Sequence, residues 1–561
     1  MRTCQRLERS MGLPVHRLDG SPKAHVFALS GELDVWLAKK ADERKQQKRM
    51  TPWLRMVVLA AGAVVLAVAA ALISARGLWK REPGPWPAPG SKSVAVLPFT
   101  DLSPDPGWTY VAEGVSEAIR NSFSRLRGLR VPGRDSTLAA KDSMPDVREV
   151  GRLLGVESVL DGTVQVLGGR LRVSARLVNA GDGRPIWSGP YDKRPEDILG
   201  IQDDIAWSVL THLKVKLRGE EEKALHKRPT ENGQAYEAYL KGLYMLGHPR
   251  PEAPDAALGL FEEALRGDAG FAAARAGIAA FYLNQAAPAL RPLVKVDPRA
   301  LSAEMSQKAR AALSAALKTD PDLAEARALD AAALFWFEWD WGKAEKEFRR
   351  ALELRPGDTE TRGAYAVYLL SMNRLERARE EIGLALAADP LSSLLRAYSL
   401  WIDLSSGRTK EALEEFERIV QREPGFELAY TGAALTYLRQ GDAKKAEETL
   451  RKAYSYPQQV PGRLDLALAA CYLKRGDRQG VAYPWGSLAG TGKRPPVSPV
   501  LMALAAAEQG DLYAAFDWLE RARRERDPQM PFVRVYAEGL ELDLVRNPRF
   551  VAFLGSLGPT R

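Results

Sequence analysis

The sequence has too few cysteine and histidine residues for the sites that these side chains usually build. Its 561 residues include only two cysteines, Cys4 and Cys471, which lie in separate segments, and five histidines without ligand spacing. A disulfide framework or a structural zinc site needs more of these residues at short intervals. The sequence therefore predicts neither a metal nor any other cofactor.

Catalytic signatures are missing as well. The sequence has no glycine-rich loop with a paired lysine, no H-R-D or D-F-G motif, and no Ser/His/Asp arrangement that stands above chance. A protein kinase uses the first three of these to hold and transfer a phosphoryl group. We therefore expect a protein that binds other molecules and is not an enzyme.

Length and charge indicate several domains with different partners. A chain of 561 residues exceeds the size of a single hydrophobic core. The net charge is +9, and residues 1–55 hold twelve Lys or Arg against six Asp or Glu. Such a basic excess at the N-terminus indicates an anionic partner there, either nucleic acid or lipid headgroups.

One long apolar run interrupts this polar sequence. Residues 56–75 (MVVLAAGAVVLAVAAALISA) contain no charged side chain. A helix of this length spans about 30 Å, the thickness of a hydrocarbon core. A signal peptide would lie closer to the N-terminus, and a buried helix of a soluble domain would seldom lack a polar face. The run therefore predicts a single transmembrane helix.

Basic flanks predict the orientation of this helix. Seven Lys or Arg lie within residues 39–55, whereas three lie within residues 76–81. Because the more basic flank stays in the cytoplasm, we expect the N-terminus inside and the C-terminal domains outside the membrane, which is the periplasm if the cell is a Gram-negative bacterium. Close approach of two such helices in a homodimer is expected along the stripe Ala63, Ala67, Ala71 and Ala75. Eight alanines in the run would also produce that stripe by chance.

A period of about 34 residues runs through the second half of the chain. A charged residue followed by proline recurs there at intervals of 35, 34 and 34 residues, with an alanine twelve positions before each proline and a large apolar residue eight before it. The alanine allows two helices to cross closely, and the apolar residue fills the gap between neighbouring helix pairs. The proline ends the second helix because it cannot donate the next hydrogen bond. Asn373, Gly407 and Gly441 are placed to turn the chain between helices.

This pattern resembles the tetratricopeptide repeat, as in KAEKEFRRALELRP (343–356) and EALEEFERIVQREP (411–424). The resemblance implies stacked helix pairs over residues 235–555, in a curved solenoid whose concave face binds a protein or peptide partner. The signature positions are Ala257, Phe261, Ala309, Leu313, Pro321, Ala344, Phe348, Pro356, Ala378, Ile382, Pro390, Ala412, Phe416, Pro424, Ala446, Leu450 and Pro457.

Residues 91–218 have a different pattern, that of an α/β domain. Short apolar or alternating stretches predict strands at 93–99, 158–167, 169–180 and 185–194, with a hairpin turn at Gly168 and Gly169. Amphipathic stretches predict helices at 110–126, 147–155 and 198–217.

The motifs SVAVLPF (93–99), VGRLLGVESVLDGTVQ (150–165) and EDILGIQDDIA (196–206) are similar to the domain related to the amino-terminal part of the TolB translocation protein. The resemblance covers residues 91–218. Such domains frequently precede tetratricopeptide repeats in bacterial membrane regulators, kinases and cyclases. The resemblance implies an α/β fold and no catalytic residue.

Residues 1–42 resemble the second half of a winged helix-turn-helix of the MerR and excisionase type. RTCQRLERSMG (2–12) corresponds to the recognition helix, LPVHRLDGSPKAHVFAL (13–29) to the wing, and SGELDVWLAKK (30–40) to a last helix with Ser30 as its N-cap. The resemblance implies DNA contacts by Arg2, Thr3, Gln5, Arg6, Arg9, Arg17, Lys23 and His25.

The resemblance begins inside the recognition helix, which favours either an upstream start or a remnant of the module. Leu7 also stands where the relatives tend to have Trp. The alternative is a basic juxtamembrane segment that is attracted to anionic lipid.

The sequence thus predicts a multidomain chain. Its parts are a partial winged helix-turn-helix (1–42), a basic juxtamembrane segment (43–55), the transmembrane helix (56–75), a Pro-rich linker (76–90), the α/β domain (91–218), a linker (219–234) and the all-α solenoid (235–555). The function expected first is a membrane-tethered transcription regulator, with DNA binding inside and sensing repeats outside. The alternative is a membrane-anchored scaffold for envelope protein assembly without DNA binding.

Overall fold

The computed structural model describes residues 12–17, 26–47, 91–144, 146–248, 255–286, 298–456, 462–477 and 498–557, with a few single positions between them. The chain divides into two compact units, residues 1–84 and 85–561. The predicted transmembrane helix and the Pro-rich linker lie outside the described residues. Among the helices that are described, none has both the length and the apolar character needed to cross a bilayer.

The first unit contains a short strand pair and a helix. β1 (His16–Arg17) and β2 (Val26–Phe27) run antiparallel, with His16 opposite Phe27. α1 (Ser30–Gln47) follows, and the His16 Nε2 lies 2.7 Å from the Glu32 carboxylate. The Leu33 N–H donates to the Leu29 carbonyl, so Leu29 is the residue that accepts the first hydrogen bond of the helix. The prediction of Ser30 as the N-cap is therefore wrong.

The second unit begins with a mixed sheet. Its strands are β3 (Lys92–Val96), β4 (Thr100–Asp101), β5 (Leu129–Arg130), β6 (Ser158–Leu167), β7 (Arg170–Asn179) and β8 (Pro185–Lys193). They lie in the order β5-β3-β6-β7-β8, and β4 pairs with β6. β3 is parallel to β5 and β6, whereas β6, β7 and β8 form an antiparallel meander. Gly168 and Gly169, both with positive φ, turn the hairpin between β6 and β7.

Helices cover both faces of this sheet. The helices are α2 (Thr109–Phe123), α3 (Arg134–Ser143), α4 (Val147–Leu154), α5 (Ile198–Leu213) and α6 (Gly219–His226). α2 and α5 pack on one face, and α3 and α4 pack on the other against β3 and β6. β5 and α3 were not predicted, since a strand of two residues and a helix with few apolar positions leave weak patterns. α6 lies within the stretch that was predicted as a linker.

Helix pairs make up the described part of the chain that follows. They are formed by α7 (Gly233–Gly247), α8 (Ala256–Gly267), α9 (Ala272–Ala286), α10 (Pro298–Thr319), α11 (Ala324–Ala333), α12 (Trp341–Leu354), α13 (Thr359–Ser371), α14 (Leu375–Ala388), α15 (Ser393–Ser405), α16 (Thr409–Arg422), α17 (Glu427–Arg439) and α18 (Ala443–Tyr454). The described helices after these are α19 (Arg463–Lys474), α20 (Pro499–Glu508), α21 (Leu512–Arg524), α22 (Val533–Gly539) and α23 (Pro548–Ser556).

The repeat period has a simple geometric basis. Asn373, Gly407 and Gly441 have φ between +56° and +79° and turn the chain between the two helices of a pair. Asparagine and glycine tolerate this left-handed conformation better than other residues do. The second helices end two residues before the prolines, so each proline lies in the loop to the next pair.

The α/β domain and the first helix pairs of this unit share a hydrophobic cluster. The cluster formed by β3, β6, β7, α2 and α5 continues into α7, α8 and α9, where Tyr236, Ala264 and Ala274 are buried. The α/β domain and the first helix pairs are therefore packed as one body rather than joined by a free linker.

Candidate functional site

The α/β domain docks against the loops that join one helix pair to the next. The Gly357 N–H donates to the Ser124 carbonyl at 2.9 Å, and the Gly133 N–H donates to the Ala388 carbonyl at 3.4 Å. Leu391 packs against the apolar cluster of α3, α4 and β6. These contacts tie the α/β domain to the loops before α13 and α15.

Asp389, in the second of these loops, caps a helix of the α/β domain. α3 has no side-chain cap of its own because Gly133 precedes it. The Ser136 N–H in its first turn donates to Asp389 Oδ1 at 2.9 Å, which is the role that an N-cap aspartate usually has within its own helix. Asp389 is 3% exposed. Burial raises the pKa of its carboxyl group, and the hydrogen bonds from Ser136 oppose that rise.

The inner side of the solenoid, formed by the first helices of the pairs, is covered by the C-terminal segment (residues 526–546). α22 of this segment packs against α13, α15 and α17. The Phe532 ring lies 5.0 Å from the Trp336 ring, and Tyr536 meets Trp401 edge-on at 5.4 Å between centroids. Residues that are at most 1% exposed in this segment include Met530, Val533, Ala537 and Leu540. The expected open concave face is therefore closed over these three pairs.

The C-terminal segment also supports a strained turn. Trp339 occupies the turn position that Asn or Gly takes in the next three pairs, and its φ of +57° is uncommon for a bulky residue. The Arg526 guanidinium lies 4.8 Å from the Trp339 ring centroid, and its Nη1 donates to the Glu338 carbonyl at 3.0 Å. This contact holds Trp339 in the left-handed conformation.

Glu508 makes the stability of this end of the solenoid dependent on pH. Burial raises the pKa of Glu508 to about 7, with Glu541 adding to the rise and Lys474 opposing it. The folded state therefore keeps a proton that the unfolded chain loses, and stability decreases as pH rises from about 4.5 to 7. We expect Glu508→Gln to raise the free energy of unfolding by about 1 kcal/mol at pH 8 and to leave it almost unchanged at pH 4, below the unfolded pKa. Urea unfolding at both pH values measures this, and equal effects at both would contradict it.

An open cleft of about 1130 Å³ lies between the α/β domain and the first helix pairs. α2, α5 and α7 each contribute residues to its walls, together with α6, the start of α9, the loop before α11 and the end of α12. Ligand sites in proteins commonly measure about 300–1,000 Å³. The aromatic side chains of the walls are Tyr110, Trp207, Tyr236, Tyr239 and Tyr244. The cleft is thus large enough for a segment of another protein.

Four of the cationic side chains on the cleft walls pair with carboxylates. Nitrogen–oxygen distances lie between 2.6 and 3.3 Å in the pairs Arg134–Glu113, Lys227–Asp320, Arg228–Asp203 and Arg350–Asp322. The cations of these pairs are therefore already neutralised. Among the residues that the structure describes, no group of three or more His, Cys, Asp or Glu is placed to hold a metal ion.

The structure places the described signature residues of the repeats in the core. The alanines and large apolar residues are at most 7% exposed at Ala257, Phe261, Ala309, Leu313, Ala344, Phe348, Ala378, Ile382, Ala412, Phe416, Ala446 and Leu450. Pro321, Pro356, Pro390 and Pro424 lie in the loops between pairs, and Pro457 is outside the described residues.

Most of the predicted DNA-contact residues and all of the predicted transmembrane alanine stripe lie outside the residues that the structure describes. Arg17 lies in β1. The remaining DNA-contact positions, Arg2, Thr3, Gln5, Arg6, Arg9, Lys23 and His25, and the helix stripe Ala63, Ala67, Ala71 and Ala75 lie outside the described residues.

An arginine–glutamate ion pair that recurs in successive repeats was not predicted from the sequence. Six residues after Pro321, Pro356 and Pro390, the side chains of Arg327, Arg362 and Arg396 donate to the carbonyl of the respective proline. The same guanidinium groups pair with a glutamate three positions after the signature alanine, as in Arg396–Glu415 at 2.8 Å. The spacing of these arginines, 35 and 34 residues, would have revealed them. The docking and cleft residues have no comparable periodic signal.

Comparisons with known proteins identify the repeats. A model of the tetratricopeptide repeat matches residues 339–398 and 403–459. The chain is 34% identical over 203 residues to "Putative adenylate cyclase 3" of Rhizobium meliloti, which covers 36% of this chain and 34% of the relative. It therefore spans about a third of the length of this curated relative.

Two solved structures overlap with parts of this chain at TM-scores below 0.5. A tetratricopeptide repeat protein from Parabacteroides merdae has 13% identity and a TM-score of 0.36, over 50% of this chain and 99% of that one. The pilF protein of Pseudomonas aeruginosa has 19% identity and a TM-score of 0.30, over 39% and 95%. Together, the family match and the observed helix pairs show that the C-terminal region of this chain is a tetratricopeptide-repeat scaffold for protein interaction.

Proposed function

We propose that this protein is an interaction scaffold in which the α/β domain and the tetratricopeptide repeats bind a partner protein together. The observation that carries this proposal is the cleft between the two, which stays open while the C-terminal segment covers the inner side of α13, α15 and α17. The TolB-like resemblance of residues 91–218 supports a role in the bacterial envelope.

Selection of peptides on the full-length chain tests this function. A phage-displayed library of random decapeptides is panned against the immobilised protein in detergent, with an unrelated immobilised protein as the control surface. We expect enrichment of related peptides on this chain alone. Failure to enrich any peptide above the control would contradict the proposal.

We further propose that residues 56–75 anchor the scaffold in the bacterial inner membrane, with the N-terminus in the cytoplasm and the repeats outside. The absence of charge in this run and its basic flank support the proposal. Reporter fusions at residues 45 and 225 should indicate opposite sides of the membrane. Signals from the same side would overturn the anchor. The alanine stripe of this run supports a homodimer.

Transcription regulation is the second candidate function. The antiparallel pairing of β1 with β2, followed by α1, is the order expected for the wing and last helix of a winged helix-turn-helix. A gel shift with the full chain and DNA from its own promoter region tests it. A shifted band that Arg17→Ala weakens would support DNA binding, and no shift at low salt would contradict it.

We propose no enzymatic activity for this chain. The relative named "Putative adenylate cyclase 3" shares 34% of its own length with this chain, so a cyclase activity would not have to reside in the shared part. The sequence also lacks the catalytic motifs considered above. An assay of the purified chain with ATP and a divalent cation is expected to give no cyclic nucleotide.

A further inference from the structure

We infer that one edge of the α/β domain binds the anionic lipid headgroups of the membrane in which residues 56–75 are proposed to lie. This edge consists of Lys92, at the start of β3, and residues 214–218 (KVKLR), between α5 and α6. We name it the basic edge. The inference rests on the proposed membrane anchor and adds a second contact with the same membrane.

Burial alternates along residues 214–218. Val215 and Leu217 are partly buried against the hydrophobic cluster of the α/β domain, whereas Lys214, Lys216 and Arg218 are exposed. The two apolar side chains therefore hold the segment on the domain, with its three cations directed to solvent. Lys214 is the C-cap of α5, where a cation offsets the helix dipole. The two cations that follow lie beyond the helix, and the dipole does not account for them.

The chain enters the α/β domain beside this segment. The Lys92 N–H donates to the Gly128 carbonyl at 3.1 Å, and a Cβ atom at Gly128 would lie 3.9 Å from the Lys216 carbonyl. The Lys92 side chain is 49% exposed and lies 3.5 Å from Glu157. Lys92 and Lys216 thus belong to one edge of the domain.

Cations outnumber carboxylates at the basic edge. The Arg127 N–H donates to Glu221 of α6 at 3.0 Å, which places the loop after α2 at the same edge. Residues 92, 125–130, 157 and 214–223 together hold eight Lys or Arg against four Glu. Among the residues that the structure describes, the three cations of residues 214–218 form no ion pair. An anionic surface can therefore reach them without displacing a carboxylate.

The length of the linker keeps a membrane within reach of this edge. Ser91, whose hydroxyl donates to the Arg127 carbonyl at 3.4 Å, is separated from the proposed membrane helix by the fifteen residues 76–90. Even a fully extended chain of this length spans only about 50 Å. Each Lys or Arg near an anionic lipid surface strengthens binding about fivefold. Because the anchor makes this contact intramolecular, a few exposed cations are enough to hold it.

Lysine labelling tests this contact in the full-length chain. The protein is reconstituted into nanodiscs of phosphatidylcholine, with or without phosphatidylglycerol. Its amines are labelled by reductive dimethylation and quantified by mass spectrometry. We expect Lys92, Lys214 and Lys216 to react roughly threefold or more slowly in the anionic nanodiscs at low salt. In 1 M salt, where the screening length falls to about 3 Å, this difference should vanish.

Two lysines of the repeats are internal controls. The side chains of Lys410 in α16 and Lys444 in α18 are 86% and 81% exposed, and both should react equally in the two kinds of nanodisc. Slower labelling of these two lysines to the same extent would show a general effect of the anionic lipid and would overturn the inference.

Neutral variants test which residues hold the edge on the membrane. Lys214→Gln combined with Lys216→Gln should restore the reactivity of Lys92 in anionic nanodiscs, although Lys92 itself is unchanged. Lys410→Gln combined with Lys444→Gln removes the same charge from the repeats and should leave Lys92 protected. Protection of Lys92 that persists in the first variant would contradict the assignment of the contact to residues 214–218.

The outcome distinguishes this inference from the anchor on which it rests. Equal reactivity of Lys92, Lys214 and Lys216 in the two kinds of nanodisc would overturn the lipid contact and leave the anchor in place. A chain that does not incorporate into either kind of nanodisc would overturn the anchor and the lipid contact with it.

Discussion

Replacing Gly133 with alanine should separate the α/β domain from the loop before α15. A Cβ atom at this position would lie 2.0 Å from Asp389 Oδ2 and 2.7 Å from its Cβ, far inside van der Waals contact. Because Asp389 is buried and caps α3, neither side can move without breaking that cap. Amide hydrogen exchange should show Ser136 and Leu391, whose N–H groups donate across the contact, losing protection roughly tenfold or more, about 1.4 kcal/mol.

Two further variants test whether the clash between a Cβ at position 133 and Asp389 causes this loss of protection. Gly128→Ala is the control in the same domain, because a Cβ there has no neighbour nearer than 3.9 Å, and it should leave exchange unchanged. Asp389→Gly removes the atoms that a new Cβ at 133 would meet, so the double variant should be less destabilised than the sum of the single ones. Strict additivity would show that the two residues do not meet.

Arg362→Ala should destabilise the repeats more than a surface arginine would. Arg362 is 7% exposed, pairs with Glu381 and donates to the Pro356 carbonyl at 2.9 Å. Truncation leaves Glu381 almost buried, and its remaining cationic neighbour among the described residues is Arg377 at 3.9 Å. Breaking a buried ion pair by removing one partner costs about 3–5 kcal/mol, and we expect a loss near 3 kcal/mol in urea unfolding.

Removing both charges separates loss of the pair from loss of packing. Arg362→Met with Glu381→Leu keeps much of the volume and leaves no unpaired carboxylate, so most of the lost stability should return. Lys444→Ala serves as the surface control, because its partner Glu448 lies 4.0 Å away and both side chains are exposed. A loss of equal size in this control would show that the position of the pair does not matter.

The repeats could be predicted from the sequence because each signature position has a local geometric cause. Ala378 is fully buried where two helices cross, and Asn373 has the positive φ that the turn requires. Such causes act within one helix pair, so they recur with the period of the pair. The strands of the β6–β7 hairpin were predictable for the same reason, since alternation and the glycine pair lie next to each other in the chain.

The docking of the α/β domain and the covered inner side of the solenoid could not be predicted in this way. The hydrogen bond from Ser136 to Asp389 joins residues 253 positions apart, and Asp389 resembles any other residue before a repeat proline. Arg526 likewise stabilises Trp339, which lies 187 positions earlier in the chain. The sequence indicates this contact only by a Trp at the turn position where the next three pairs have Asn or Gly.

The account depends most directly on the docking of the α/β domain, because the cleft exists only while the domain stays in place. The Gly357 N–H, which donates to the Ser124 carbonyl at 2.9 Å, reports on this contact in the unmodified full-length chain. Residue-resolved hydrogen exchange should give the Gly357 amide protection comparable to that of the amides within α13. Exchange of Gly357 at the rate of an open loop, with α13 still protected, would contradict the account.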